Sequence, residues 1–254
     1  MDKVALKTRL NEIDLAYKAS CEALRWLLTE TKSAVDNVDY GITDLLGNVK
    51  GGTVFSSTQQ SAGTLTQRIG SLVEQHKTLS TRARPMLLEM ALNYRVAVYD
   101  AYINDILEAI LIHIPEKLKS GKKTLTNQEA LEFSEAGTLI EYLTNQQMVE
   151  FGYESVKDQV QWIFNNFGFS ILPRNTDLPK LVELMERRNL FVHANGIVGA
   201  KYLKTVGSTP FKVGDRMDVT DLYWFEADQL LTHIGMTVVT SVSAVFGLSA
   251  IPST

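Results

Sequence analysis

Leu6, Leu10, Ile13, Tyr17, Cys21, Leu24 and Leu28 recur at spacings of three and four. That period belongs to a helix with one buried face, and it predicts an amphipathic helix over 3–35. The pattern then lapses. Residues 39–64, DYGITDLLGNVKGGTVFSSTQQSAGT, are rich in Gly, Ser, Thr and Gln and read as a loop or irregular excursion. A helical pattern returns over 65–81. Pro85 suits the first turn of a long helix running through His113 and stopped by Pro115. Apolar residues cover more than one face of that segment, so it reads as a central helix buried on most sides.

Thr126 with Glu129 makes a capping-box pattern for a helix reaching about Phe151, and Ser155 caps another through Phe167. Gly168, Pro173 and Pro179 then break the pattern. Asp177 is placed to cap the next helix, with Pro179 in its first turn and Asn195-Gly196 as its stop. Residues 204–220 read as a loop with room for a short hairpin, and Thr220 or Asp221 opens the final helix. Within it, Ile234 to Ile251 carries no charge. Its length is close to the roughly 18-residue minimum of a membrane span. Its several Ser and Thr, its two Gly and the lack of flanking Lys or Arg favour a fully buried core helix instead. No repeat and no alternating strand set is present. The expected fold is all-α, a helical bundle forming a single domain over 1–254. Within it, N-terminal helices and a loop (1–80) elaborate a core (81–254) that contains a helix at about 177–196.

Composition supports a sizeable core, since 45% of the 254 residues are hydrophobic. The single cysteine, Cys21, rules out an intramolecular disulfide. It falls on the apolar stripe, where packing is its expected role, and a cytoplasmic location is the natural expectation. The start, MDKVALKTRLNEID, is too polar for a secretory signal. A net charge of −4 argues against a broad surface coating nucleic acid. The charge is uneven, however: 174–204 carries +3 and the remainder −7. A local basic site on an acidic body fits one phosphate held tightly rather than long non-specific tracking. Gly51-Gly52 and Lys122-Lys123-Thr124 both lack the spacing of a phosphate loop, and the latter reads as a solvated basic turn.

One segment concentrates chemistry: ERRNLFVHANGIVGAKYL, 186–203. Asn189 and His193, four residues apart, share a helix face. Arg188 stands five residues before His193, about 140° round an ideal helix. Arg187 and Arg188 differ by about 100°, so they cannot share a role: one is functional or buried, the other solvated. Arg, His and an amide without a carboxylate cluster suit phosphoryl transfer. Histidine moves a proton near neutral pH, and arginine forks onto phosphate and stabilises added negative charge. RNA suits this set because it brings its own nucleophile, the 2′-hydroxyl. His76, His113, His193 and His233 are scattered, and no spacing matches a zinc site, so no metal and no cofactor is expected. The plainer alternative from the same residues is a histidine near a helix C-terminus and arginines paired with Glu183 or Glu186.

The segment resembles the signature of HEPN domains, all-α ribonucleases of prokaryotic toxin and defence systems: Arg, a polar residue, a short gap, then His. Arg188, Asn189, Leu190-Phe191-Val192 and His193 match it position by position. ANGIVGAKYL after it and ILPRNTDLPKLVELMERRN before it resemble the RiboL-PSP-type branch, so the close match covers about 170–205. The resemblance implies a metal-independent endoribonuclease whose site forms at a homodimer interface through the motif helix. His193 would be general acid/base, Arg188 the phosphate clamp and Asn189 an orienting group. It also implies a toxin, stress or phage-defence setting, with an antitoxin or defence partner. Some members carry a second histidine where this chain has Asn195, and others a tyrosine modified by a partner nucleotidyltransferase. This chain has neither. Two other readings stand beside it: a non-catalytic HEPN module binding RNA, nucleotide or protein, and a membrane-tethered effector using 234–251.

Overall fold

The structure, a computed structural model, describes residues 2–50, 59–120, 126–136 and 138–248; within the described helices, the side chains of most residues from 38 to 82, and a few near 119 and 135, lie outside the description. The described residues form α1 (Lys3–Lys50), α2 (Gln59–His113), α3 (Asn127–Ala136), α4 (Leu139–Tyr153), α5 (Val156–Phe167), α6 (Leu178–Ala194), α7 (Ala200–Val206) and α8 (Asp221–Phe246). Two short 3-10 turns, Pro115–Ser120 and Asn175–Asp177, complete the regular structure. There is no strand among them, only one isolated antiparallel bridge between Ile197 and Arg216. The fold is an all-α helical bundle.

The centre is a three-helix unit. Tyr17 of α1 stacks on Tyr102 of α2 with ring centroids 4.0 Å apart, and Arg84 reaches back to Asp36, so α1 and α2 run antiparallel. α8 lies along both, bonded to α1 at Arg25–Asp228 and to α2 at Arg95–Asp228. All seven residues of the α1 stripe, Leu6 to Leu28, are buried, and they join the same core as the apolar faces of α2 and α8. Gly235 is required where α1 meets α8, because a Cβ there would stand 2.7 Å from Cε1 of Tyr17.

Several boundaries differ from the sequence pattern. α1 continues to Lys50 and α2 begins at Gln59, so much of the excursion expected at 39–64 is helical, while 51–58 lies outside the described residues. Pro85 is interior to α2 rather than in a first turn. Packing of α1 against α2 outweighs both the weak local propensity and the hydrogen bond that a proline removes. The Thr126–Glu129 box forms reciprocally, but the helix it opens stops at Ala136 and restarts at Leu139. The hairpin expected within 204–220 is instead a pairing of 214–217 with 196–198, made by Val198 N–H to Asp215 O and Met217 N–H to Gly196 O. The basic turn at Lys122–Thr124 lies outside the described residues.

α8 is long and apolar enough, by length and composition, to cross a membrane. It is not fully buried as its composition suggested. Trp224, Ala227, Leu231, Ile234, Val238 and Val242 face the core, while Phe225, Met236 and Val245 are exposed, because its partners lie along one side. Its buried face also carries Asp228, which accepts from Arg95 Nε at 2.8 Å and from Arg25 Nε at 2.7 Å and Nη2 at 3.1 Å. Arg95 is fully buried and also donates to the Tyr17 hydroxyl at 3.0 Å. That hydroxyl donates in turn to the Leu231 carbonyl at 2.9 Å.

Burial pushes the Tyr17 hydroxyl up to about 12, against the opposing pull of Arg95. An unfolded tyrosine ionises near 10. The folded state therefore keeps a proton that the unfolded state releases, so this stabilisation is complete below about pH 10 and is lost as pH rises through 12. The loss expected at Tyr17 is about 2–3 kcal/mol. Urea unfolding at pH 9 to 12 checks this. The Tyr17→Phe variant should show a shallower fall with pH than the wild type, and equal slopes would refute it.

Candidate functional site

α6 carries the Arg188–His193 motif on a scaffold fixed at both ends. At its start, Pro179 lies in the first turn as the sequence suggests. Asp177 does not cap the helix with its side chain. Its buried carboxylate instead accepts from Arg174 Nε at 3.2 Å and Nη2 at 3.1 Å. At its end, Asn195 takes the left-handed conformation at φ 50°, which asparagine tolerates better than most residues. Gly196 follows at φ 74°, and its N–H reaches the Leu190 carbonyl at 3.0 Å. A side chain at Gly196 would press on the Met217 carbonyl at 3.1 Å and the Phe191 ring at 3.2 Å.

The two arginines separate as their angular offset requires. Arg187 faces inward and is buried. Its Nε donates to Glu183 at 2.7 Å and its Nη1 to the Asp218 carbonyl at 3.3 Å, and its guanidinium lies 3.7 Å from the centre of the Tyr223 ring. Glu183 also accepts from the hydroxyls of Tyr202 at 2.8 Å and Tyr223 at 2.7 Å. Burial, then the Glu183 charge, raises the pKa of both tyrosines, keeping them protonated as donors. This cage joins α6 to α7, α8 and the 211–218 loop. The pairing of an arginine with Glu183 is therefore real, and it belongs to Arg187.

Arg188 faces the other way. Its Nη2 donates to Asp100 Oδ2 on α2 at 2.6 Å and its Nη1 to Asn189 Oδ1 at 3.2 Å. Arg188, Asn189 and Asp100 stand together on a cavity of about 260 Å³ between α2, α5 and α6. Asp100 sits over apolar walls. Burial on that side pushes its carboxyl above the usual carboxylate range, and the Arg188 guanidinium offsets part of the rise. His193 is exposed, one turn beyond Asn189, and does not line the cavity. Its ring makes no hydrogen bond among the described residues. One chain thus brings Arg188 and Asn189 together and leaves His193 outside their contact. No group of three or more metal-ligating side chains occurs among the described residues.

Asp100 was not apparent from the motif. A signal was present in the sequence: in RVAVYDAYINDILEAILIHI, Asp100, Asn104 and Glu108 recur at intervals of four, and a polar line along one face of a largely apolar helix marks a place where it meets something other than core. A larger cavity, about 570 Å³, lies between α6 and α8 with Lys180, Tyr223 and His233 on its walls. It holds none of Arg188, Asn189 and His193. Compared with known proteins, the chain matches no family model, no curated protein and no solved structure.

Proposed function

We propose that the chain is a HEPN-type endoribonuclease that cuts RNA by attack of the substrate's 2′-hydroxyl on the adjacent phosphodiester, without a metal. The observation that carries this reading is the division of labour on α6: Arg187 is consumed in a buried cage, while Arg188 and Asn189 line a cavity away from it and His193 is exposed one turn further on. In the reaction the O2′–P bond forms and the P–O5′ bond breaks, giving a 2′,3′-cyclic phosphate and a 5′-hydroxyl. A base takes the 2′ proton and an acid supplies the proton to O5′. Arg188 holds the phosphate and stabilises the charge that builds on its oxygens.

In-line displacement puts the attacking and leaving oxygens on opposite sides of phosphorus, so a single histidine cannot serve both at once. A homodimer across the motif helix would supply a second His193. The expected result is a dimer by light scattering at micromolar concentration. A fully active monomer would overturn the dimeric site.

The deciding experiment is cleavage of total cellular RNA in EDTA by the wild type and by His193→Ala. Cleavage by the wild type alone is expected. Loss of cleavage in EDTA that a divalent ion restores would remove the metal-independent mechanism. A second reading has its own observation: Arg188 is already engaged by Asp100. A module that binds RNA, nucleotide or a protein partner without turnover would need no free clamp, and it is the reading that stands if neither protein cuts. A cytoplasmic toxin, stress or defence role belongs to the nuclease proposal.

A further inference from the structure

The cavity beneath Arg188 has a floor and a rim of different chemistry. Tyr99, Ile103, Phe151 and Ile163 form a buried apolar floor. Such a floor accepts the face of a flat aromatic ring. At about 260 Å³ the cavity lies below the roughly 300–1,000 Å³ of drug-sized ligand sites, which suits one bicyclic base with its sugar and phosphate left outside. Arg188 lines the same cavity with its side chain 27% exposed, within reach of a phosphate left outside. His193 follows Asn189 by four residues, about 6 Å along the helix axis.

The rim sets one group that can only accept beside one left to donate. Asn104 Nδ2 gives one N–H to the Asp100 carbonyl at 2.9 Å, and Gln159 Nε2 gives one to the Phe151 carbonyl at 3.0 Å. Each keeps its amide oxygen and its second N–H, so neither selects one base edge. Asp100 gives Oδ2 to Arg188 and keeps Oδ1, with a further lone pair on Oδ2. Asn189 is the opposite case: its Oδ1 is taken by Arg188, and its Nδ2 remains to donate. A carboxylate that can only accept thus stands beside an amide left to donate.

Among the four bases only guanine offers a matching edge: N1–H and N2–H2 side by side, next to the O6 acceptor. Adenine and cytosine each place one amino group beside a ring acceptor, and uracil has a single N–H. We propose, resting on the nuclease reading for the strand and on this cavity for the base, that the site binds a guanine of the RNA and directs cutting beside it. The Asp100 carboxylate accepts from N1–H and N2–H2, and Asn189 Nδ2 donates to O6. Asp100 then bridges the base and the clamp, so an ordered Arg188 goes with an occupied pocket.

The test uses the full chain. GMP, IMP and AMP are titrated by calorimetry into wild type, Asp100→Asn and Gln159→Leu, and wild-type cleavage sites are mapped on a mixed-sequence RNA. GMP is expected to bind about tenfold or more tighter than AMP, with IMP, which lacks the N2 amino group, in between. Asp100→Asn should erase the preference. Gln159→Leu, which loses the bond to the Phe151 carbonyl but touches neither Arg188 nor Asp100, should keep the order GMP, IMP, AMP. Equal binding of GMP and AMP, or no GMP binding at millimolar concentration, overturns the proposal. His193-dependent cleavage with no preference for guanine overturns it while leaving the nuclease standing. Selective GMP binding by a chain that cuts no RNA does the reverse, keeping the guanine site and removing the nuclease.

Discussion

His193→Ala is expected to lower RNA cleavage by about 10²–10⁴, the usual contribution of a positioned proton-transfer group. The ring is exposed and unbonded among the described residues, so its removal empties no core volume and breaks no internal contact. The melting point should therefore stay with the wild type. Arg188→Ala is expected to cost on the order of 10²–10³, because it removes a fixed charge where the transition state gains negative charge. Its partner Asp100 is 40% exposed at the side chain, so water can replace the lost guanidinium and stability should change little. The measurement is single-turnover cleavage of a defined RNA, with melting curves alongside. If both variants cut at the wild-type rate with folded melting profiles, the nuclease reading fails and the binding-module reading replaces it.

The parts of the fold that were legible in the sequence are those where one physical signal acts alone. The α1 stripe from Leu6 to Leu28 reads correctly because hydrophobic period decides which face is buried, and Cys21 lies on it. Ser155 and Thr220 read correctly because a hydroxyl acceptor at a helix start is a local arrangement; they accept from the N–H of Asp158 and Tyr223. Asp177 misled for a related reason. Its position is right for a cap, but Arg174 lies three residues before it and takes the carboxylate first. Pro85 and the polar stretch after Asp39 misled because a long antiparallel helix pair supplies packing that no local window contains. Asp228 shows the same limit from the other side. A carboxylate in the middle of an apolar helix is intelligible only once Arg25 and Arg95 arrive from helices more than a hundred residues earlier in the chain. At the site, spacing alone separated Arg187 from Arg188. Which of them lined the cavity depended on Glu183, Tyr202 and Tyr223 forming a cage on one side and on Asp100 standing on the other.

Arg187→Ala is the variant expected to lose stability rather than chemistry. The Arg187 and Glu183 side chains are 11% and 21% exposed, so their pairing is largely shielded from water. Removing one partner of such a pair leaves an uncompensated charge and typically costs about 3–5 kcal/mol. The lost stacking on Tyr223 acts in the same direction. For a chain of this length that corresponds to a fall in melting temperature of roughly 6–20 °C. Cleavage per folded molecule should survive, because Arg188, Asn189 and His193 occupy the other side of α6. A double variant separates the two roles. Glu183→Gln combined with Arg187→Met removes the stranded charge, keeps an acceptor for a tyrosine hydroxyl and restores apolar volume over the Tyr223 ring, so part of the lost stability should return. The measurements are thermal and urea melts of both variants, with cleavage assayed well below their melting points. An Arg187→Ala protein that melts with the wild type but cuts no RNA would move the phosphate clamp from Arg188 to Arg187, and the guanine pocket built on Arg188 would fall with it.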